Sequence, residues 1–239
     1  MKKKNKVDKN IIADNSSWTF QGDVSKKFSK HVKKSVPFYE EGHNLISHIS
    51  DFFIHDDSFV YELGSSTGNL ISKIEKRHQH KKNVSYYGID IIEEMTQQAI
   101  LENPDSKVNF LTDDLEKYEY QNSDFMIMYY TLQFIKPRSR QKIIDKIYKN
   151  LNWGGGMILF EKTRAPDARF QDIISGVYNE FKLEQGFEEL EIFNKTRSLK
   201  GVLEPFSHKG NIGILKRAGF IDIMPIFKYV PFEGYLAIK

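Results

Sequence analysis

The chain of 239 residues contains no cysteine, and it has seven histidines. Without a thiol there can be no disulfide, thiolate metal ligand, iron–sulfur cluster or cysteine nucleophile. No two histidines have the HxxxH or HExxH spacing of a helical metal site, so we expect no bound metal. Apolar runs stay well below the roughly 20 residues that span a bilayer. The lysine-rich start is not followed by the apolar stretch of a secretory signal. We therefore expect a cytoplasmic protein that does not enter a membrane.

The charge pattern gives little sign of a nucleic-acid partner. The formal net charge is +3, and much of the positive excess lies within residues 1–10. Such a stretch is more often a solvated end than a nucleic-acid arm, so we expect no direct nucleic-acid binding. We predict a disordered basic tail over 1–16 and a single catalytic domain over 17–239. Within that domain, 17–56 forms an N-terminal helical cap and 164–203 a helical lid insertion.

The remainder of the chain predicts an α/β fold. Hydrophobic residues make up 40% of the composition, which is enough for a sizeable core. Short apolar strands alternate with amphipathic helices over short connections, which indicates a mostly parallel sheet covered on both faces. A final hairpin with its link at Lys228 requires one of the last two strands to run antiparallel. The predicted strands cover residues 58–63, 84–89, 108–111, 125–130, 157–160, 220–227 and 229–238.

A glycine-containing loop follows the first strand. Its Gly64 and Gly68 have the spacing GxxxG, without the central glycine of dinucleotide sites and without the lysine of a phosphate-binding loop. Asp90, at the next strand end, can accept both ribose hydroxyls, and Asp114 can accept from an adenine amino group. These positions favour S-adenosylmethionine (SAM) over NAD. Each residue also has a purely structural interpretation, as turn glycine or helix cap, so a domain without nucleotide stays open.

Several short motifs are more specific than this loop. They are Trp18-Thr-Phe, Ser35-Val-Pro-Phe-Tyr39, Glu62-Leu-Gly-Ser-Ser, Thr131-Leu-Gln-Phe134, Asp145-Lys-Ile-Tyr148, Glu161-Lys162, Glu189-Leu-Glu-Ile192, Arg197-Ser198 and Lys216-Arg-Ala-Gly-Phe220. Together they resemble the bacterial carboxy-S-adenosyl-L-methionine (carboxy-SAM) synthases, from about residue 17 to the C-terminus. The resemblance implies a Rossmann-like class I SAM methyltransferase fold, with a mostly parallel seven-stranded sheet, one antiparallel strand, N-terminal helices and a helical lid.

The resemblance also implies an activity. That family converts SAM and prephenate into carboxy-SAM and phenylpyruvate, and a separate enzyme uses the product on the wobble uridine of tRNA. The cofactor is then SAM or carboxy-SAM, the small-molecule substrate is prephenate, and the protein is a homodimer. The chemistry requires the enzyme to bury the reacting carbon, orient two anions and stabilise a new carboxylate.

The matching positions suggest which residues bind the cofactor: Tyr39, Gly64, Ser65, Ser66, Asp90, Ile91, Asp114, Leu115, Tyr129 and Arg197. Arg197 and Tyr39 are the predicted catalytic residues. Arg197 would grip the new carboxylate bidentately, in its own site or a neighbour's, and Tyr39 would donate a hydrogen bond beside the methionine portion. Tyr129 stands where the family has asparagine, so the contact to the methionine tail must differ here.

Two other functions fit the same fold. A SAM-dependent methyltransferase could use the aromatic residues to hold a small acidic or aromatic acceptor. A non-catalytic SAM-binding module is the alternative from another class. A nucleic-acid methyltransferase fits less well, because the strand end after Met128 lacks an Asn-Pro-Pro-Tyr element and the chain has no cysteine for attack on pyrimidines.

Overall fold

The computed structural model describes residues 5–8 and 11–239. Its strands are β1 (Lys6–Asp8), β2 (Ile11–Ile12), β3 (Phe59–Leu63), β4 (Ser85–Asp90), β5 (Asn109–Thr112), β6 (Ser123–Tyr129), β7 (Leu151–Lys162), β8 (Asp222–Tyr229) and β9 (Phe232–Ile238). Its α-helices are α1 (Asp23–Ser35), α2 (Tyr39–Ile49), α3 (Asn69–Arg77), α4 (Glu93–Glu102), α5 (Pro137–Asn150), α6 (Ala168–Glu184), α7 (Glu189–Ser198) and α8 (His208–Ala218).

Seven strands form one sheet in the order β5-β4-β3-β6-β7-β9-β8. Strands β3 to β7 pair in parallel, whereas β9 runs antiparallel to both of its neighbours. The predicted fold class, a mostly parallel seven-stranded sheet with one antiparallel strand, is therefore confirmed. The strand order reverses at β3, because β4 and β5 lie on one side of it and β6 and β7 on the other. The carboxyl ends of β3 and β4 therefore lie at the edge where such sheets bind ligands.

Local sequence signals fix the ends of the helices. Pro137 occupies the first turn of α5, where its missing N–H costs nothing. The side chain of Asp167 accepts from the backbone N–H of Phe170 and starts α6. The side chain of Ser207 does the same for α8, which Gly219 ends with a φ of 121°.

The two faces of the sheet carry separate apolar layers. On one face, α5 and α8 pack against the sheet through residues such as Ile144 and Leu215. On the other face, α2 and α3 cover it through residues such as Ile46 and Ile71. Nearly continuous apolar strands such as β6 are the expected sequence of a sheet buried on both faces. Packing on both faces therefore fixes the positions of the strand ends.

The predicted disorder of residues 1–16 is wrong where the structure describes them. Strands β1 and β2 pair as a short antiparallel hairpin. Val7 is fully buried and packs with Ile11, Trp18 and Val24, so apolar burial holds this segment. Residues 1–4 and 9–10 of the predicted tail lie outside the described residues. Among residues 5–8 and 11–239, no helix combines the length and the apolar character needed to cross a bilayer.

The hairpin is also tied to the lid. The Lys6 ammonium pairs with Glu191 of α7 at 3.0 Å, and Asn194 donates to the Lys6 carbonyl at 2.9 Å. Asp8 contacts the His31 ring of α1 at 2.6 Å. The hairpin therefore joins the N-terminal cap to the lid above the strand ends.

Candidate functional site

The loop after β3 is a tight turn that only small residues can form. Gly64 has a φ of 80°, and a Cβ there would overlap Cγ2 of Thr131. Gly68 has a φ of 71°, and a Cβ there would overlap the ring of Phe110. Both glycines are thus required by backbone conformation and by close packing. The loop leaves Ser65 and Ser66 at the wall of a cavity.

Asp90 ends β4 and holds this loop in place. One carboxylate oxygen accepts from the backbone N–H of Ser66 at 2.9 Å, and the other accepts from the N–H of Ile92 at 2.9 Å. Burial raises the pKa of Asp90, and these backbone N–H groups oppose the rise. An ionised carboxylate has about four acceptor positions, so two stay available for the hydroxyls of a ribose.

The third strand end provides the neighbouring wall. Asp114 accepts from the Glu116 N–H at 2.9 Å, and Leu115 beside it is buried. Ile91 is largely exposed at the rim. The three residues together suit the flat, partly apolar body of a base.

The loop after β3 and the residues at the ends of β4 and β5 line one cavity of about 740 Å³ between the strand ends, the N-terminal cap and the lid. Of the ten predicted cofactor residues, nine line it: Tyr39, Gly64, Ser65, Ser66, Asp90, Ile91, Asp114, Leu115 and Tyr129. The volume is in the upper part of the range for small-molecule sites, about 300–1,000 Å³. It offers room for a nucleoside with its tail and for a second reactant.

Tyr129 is accommodated by its neighbours on α2. Its hydroxyl donates to the Tyr39 carbonyl at 2.8 Å, and its ring lies 4.9 Å from that of His43. A Cβ at Gly42 would overlap the Tyr129 hydroxyl, so the glycine makes space for the larger side chain. The Tyr129 hydroxyl is therefore committed to the backbone of the cap.

Tyr39 keeps its own hydroxyl for another partner. Within the described residues, no group accepts from or donates to the Tyr39 hydroxyl. Burial and the nearby Glu62 raise the pKa of Tyr39 well above its ordinary value, so the group stays protonated at any working pH. It can act as a hydrogen-bond donor into the cavity.

Arg197 is the one predicted residue that the structure places elsewhere. Its guanidinium lies 5.7 Å from the Phe193 ring, and it does not line the cavity. Helical periodicity explains this, because the residues of α7 that face the cavity are Glu191, Ile192, Lys195 and Thr196, followed by Leu199 directly after the helix. Arg197 and Phe193, four residues apart, lie on another face. The structure therefore does not bring Arg197 into the cavity of its own chain, and its predicted contact with a carboxylate stays a prediction for a neighbour's site.

The sequence analysis missed several cavity residues. Glu62 is 4% exposed and accepts from the Ile71 N–H at 3.0 Å. Burial raises the pKa of Glu62 to about 8. Lysines also line the cavity, among them Lys162, Lys182 and Lys195. The Glu161-Lys162 motif was a signal for one of them, but nothing in the sequence showed that the three converge.

Comparisons with known proteins agree with this geometry. A family described as a methyltransferase domain matches residues 60–155. A carboxy-SAM synthase of Staphylococcus epidermidis is 37% identical over 223 residues, which cover 93% of this chain and 97% of the relative. A carboxy-SAM synthase of Campylobacter lari is 35% identical, with 92% of this chain and 94% of the relative covered.

Solved structures show the same fold at low sequence identity. The magnesium protoporphyrin IX methyltransferase of Synechocystis, solved with bound SAH, superposes with a TM-score of 0.63 at 14% identity. The match covers 92% of this chain and 96% of that one. Human N-acetylserotonin methyltransferase, solved with SAM, gives a TM-score of 0.60 at 15% identity, with 90% and 54% covered. At this identity the likeness establishes the class I SAM methyltransferase fold alone.

Proposed function

Because the chain belongs to the carboxy-SAM synthase family, we propose that it converts SAM and prephenate into carboxy-SAM and phenylpyruvate. It is a SAM-utilising transferase, and SAM is its cofactor. In the proposed reaction the carboxylate that prephenate loses becomes the new carboxylate on the former SAM methyl carbon. The ring hydroxyl of prephenate leaves as water with a proton from that methyl group. We further propose that the product supplies wobble-uridine modification of tRNA in the cytoplasm.

The protein's part in this reaction is to bind, orient and exclude water. Asp90 would accept from the ribose, Asp114 and Leu115 would flank the base, and the loop from Gly64 would approach the amino-acid end. SAM supplies an activated methyl group when it is bound. The Tyr39 hydroxyl would donate to a carboxylate nearby.

One observation carries the proposal. The cavity that holds the nine predicted cofactor residues continues past them, under the lid, into a region lined by aromatic and cationic side chains. A SAM site needs the first part, whereas a second anionic reactant needs the remainder. Such a continuous, lidded space meets the requirement that both reactants be enclosed together.

Mass spectrometry of the small molecules released by heat tests this reaction. We expect freshly purified protein to release a species heavier than SAM by one carbon dioxide. Incubation of ligand-free protein with SAM and prephenate should form the same species together with phenylpyruvate. If only SAM or SAH is released and prephenate is left unchanged, the proposed reaction is wrong. The alternative is then a methyltransferase for a small acidic or aromatic acceptor, which the aromatic wall at Tyr129 favours.

A homodimer is part of the same proposal. None of the residues of α6, all of which the structure describes, is fully buried. Phe170, Ile173 and Val177 lie along one side of it with 44%, 54% and 46% exposure. Such an apolar stripe suits a second copy of the chain, and a dimer could carry Arg197 into a neighbour's site.

Light scattering after gel filtration measures this assembly. We expect the parent protein to have twice the chain mass and Ile173→Glu to shift toward the monomer, because it buries a charge in the interface. Asn179→Glu, at an exposed position on the other side of the same helix, is the control and should keep the parent mass. A parent protein of single-chain mass would contradict the dimer.

A further inference from the structure

Three lysines from three different elements converge on one wall of the cavity. Lys162 is at the end of β7, Lys182 is on α6 and Lys195 is on α7. Within residues 5–8 and 11–239, none of their ammonium groups forms a hydrogen bond or an ion pair with a carboxylate. Three amines without a carboxylate partner on a mostly apolar wall destabilise the fold, whether they stay charged or lose a proton. Such an arrangement points to a ligand that supplies the missing negative charge.

Aromatic rings hold these lysines in position. The Nζ atoms of Lys162 and Lys182 each lie 4.4 Å from the centroid of the same Tyr178 ring. The Tyr178 hydroxyl donates to the Ser35 carbonyl at 2.6 Å, which fixes the ring against α1. Lys195 lies over the Trp18 ring. Because the rings take one side of each ammonium, the remaining N–H groups are preorganised for an acceptor in the cavity.

Burial and neighbouring positive charge disfavour the protonated form of these lysines. Burial, together with the positive charges of Lys182 and Arg164, lowers the pKa of Lys162 to about 7. Burial lowers the pKa of Lys182 to about 8. Burial and Lys182 also lower the pKa of Lys195 well below its ordinary value, against the opposing charge of Asp8. Displaced pKa values of this kind cluster at functional sites.

Both anionic and cationic side chains line the cavity. The carboxylates of Asp90 and Asp114 lie at the strand ends, where the adenosine is expected, and Glu191 of the lid is paired with Lys6. Aromatic residues line the same cavity: Phe20, Phe134, Phe187 and Phe232. The molecule that fits has an apolar ring body and at least two anionic groups.

We propose that Lys162, Lys182 and Lys195 form the binding site for the second reactant, a ring-bearing dicarboxylate. This inference rests on the proposed function, since prephenate is such a dicarboxylate. Two ammonium groups beside one ring can each hold one carboxylate, and the third closes the site from the lid. These lysines contact the substrate's anionic groups and determine which acids enter.

Calorimetry on protein saturated with SAH tests the site, because SAH lacks the reacting methyl group and no turnover occurs. The probes are prephenate and phenylsuccinate, a ring-bearing dicarboxylate that cannot undergo the reaction. We expect Lys162→Met and Lys182→Met each to weaken binding of the dicarboxylates about 10- to 100-fold. Methionine keeps the length and apolar contacts of the stem, so the variants should fold. Lys149→Gln, on the exposed side of α5, is the control and should bind as the parent does.

The affinity for SAH shows which carboxylate the lysines bind, that of the second reactant or that of the cofactor's amino-acid tail. If the lysines hold the second reactant, SAH binds all variants within about threefold of the parent. If SAH binding weakens in parallel with dicarboxylate binding, the lysines hold the cofactor's own amino-acid tail and the inference is wrong. It is also wrong if both lysine variants bind the dicarboxylates as tightly as the parent, or if the parent binds neither probe. Lysine-dependent binding of phenylsuccinate without binding of prephenate would uphold the site and contradict the proposed reaction.

Proton uptake on dicarboxylate binding distinguishes a direct contact from a purely structural role of Lys162, because a structural role would leave the uptake unchanged. At pH 8 Lys162, with a pKa of about 7, is largely neutral, and an arriving carboxylate favours its protonated form. Lys182 and Arg164 oppose that charge, whereas Asp8 supports the charge on Lys195. Titrations in buffers of different ionisation enthalpy should therefore show net proton uptake by the parent protein and less by Lys162→Met. Equal uptake in both would contradict the assignment.

Discussion

Asp90→Ala is expected to weaken SAM, SAH and every other adenosyl ligand by about 100-fold. A hydrogen bond to a charged group contributes about 1.5–3 kcal/mol, and the carboxylate is placed to accept from two ribose hydroxyls. The loss of both corresponds to at least a hundredfold change in the dissociation constant. The same carboxylate accepts from Ser66 and Ile92, so its removal also loosens the loop that approaches the cofactor. Both effects act in the same direction.

Equilibrium binding of SAM and SAH measures this loss, with circular dichroism to show that the fold is retained. Asp113→Ala is a matched control, because Asp113 also follows a strand end but is exposed and does not line the cavity. The ratio of SAM to SAH affinity should stay unchanged in Asp90→Ala, since both ligands share the ribose. An Asp90→Ala protein that binds SAM as the parent does would show that the cofactor lies elsewhere.

The cofactor half of the site was predictable because strand ends follow from local patterns. Gly64 and Asp90 each come directly after a short apolar strand, and parallel strands bring their carboxyl ends to one edge. Adjacency along the chain thus becomes adjacency in space. The same reasoning predicted the antiparallel final strand, although the hairpin turn lies at Val230 and Pro231 and not at Lys228.

The lid half depends on helix phase, which the motif did not determine. The Arg197-Ser198 motif predicts a guanidinium that binds a carboxylate, but it does not say which way the side chain points. Successive side chains along a helix differ in direction by about 100°. That rotation places Thr196 in the cavity and Arg197 outside it. Lys162, Lys182 and Lys195 come from three elements distant in sequence, so only tertiary packing reveals that they share a wall.

The N-terminal hairpin was missed for a related reason. Lys6, Val7 and Asp8 have a strand's alternation, but over three residues it cannot be distinguished from a charged, solvated end. The segment is ordered because Val7 is buried among residues of the cap and lid. Local composition carries no information on such a partner.

Glu62→Gln is expected to stabilise the ligand-free protein while it weakens SAM binding. The pKa of Glu62 is about 8 in the folded chain against about 4.5 in the unfolded chain, so the carboxyl group releases its proton on unfolding between these values. Its contribution therefore makes the free energy of unfolding fall as the pH rises from about 4.5 to about 8. Below that window there is no loss, and above it the loss is complete. Glutamine removes a cost of about 4 kcal/mol at pH 8.

Urea denaturation of parent and Glu62→Gln protein at pH 5 and pH 8 measures this difference. We expect similar stability at pH 5 and a clear gain for the variant at pH 8, because the glutamine oxygen can still accept from the Ile71 N–H. Glu75→Gln, at another buried position on α3, is the control for loss of a carboxylate. A Glu62→Gln gain that is equal at both pH values would contradict titration as the cause. SAM carries a sulfonium and an ammonium group, so the buried carboxylate of Glu62 on the cavity wall favours its binding. This benefit to ligand binding explains why a residue that lowers the stability of the fold is retained.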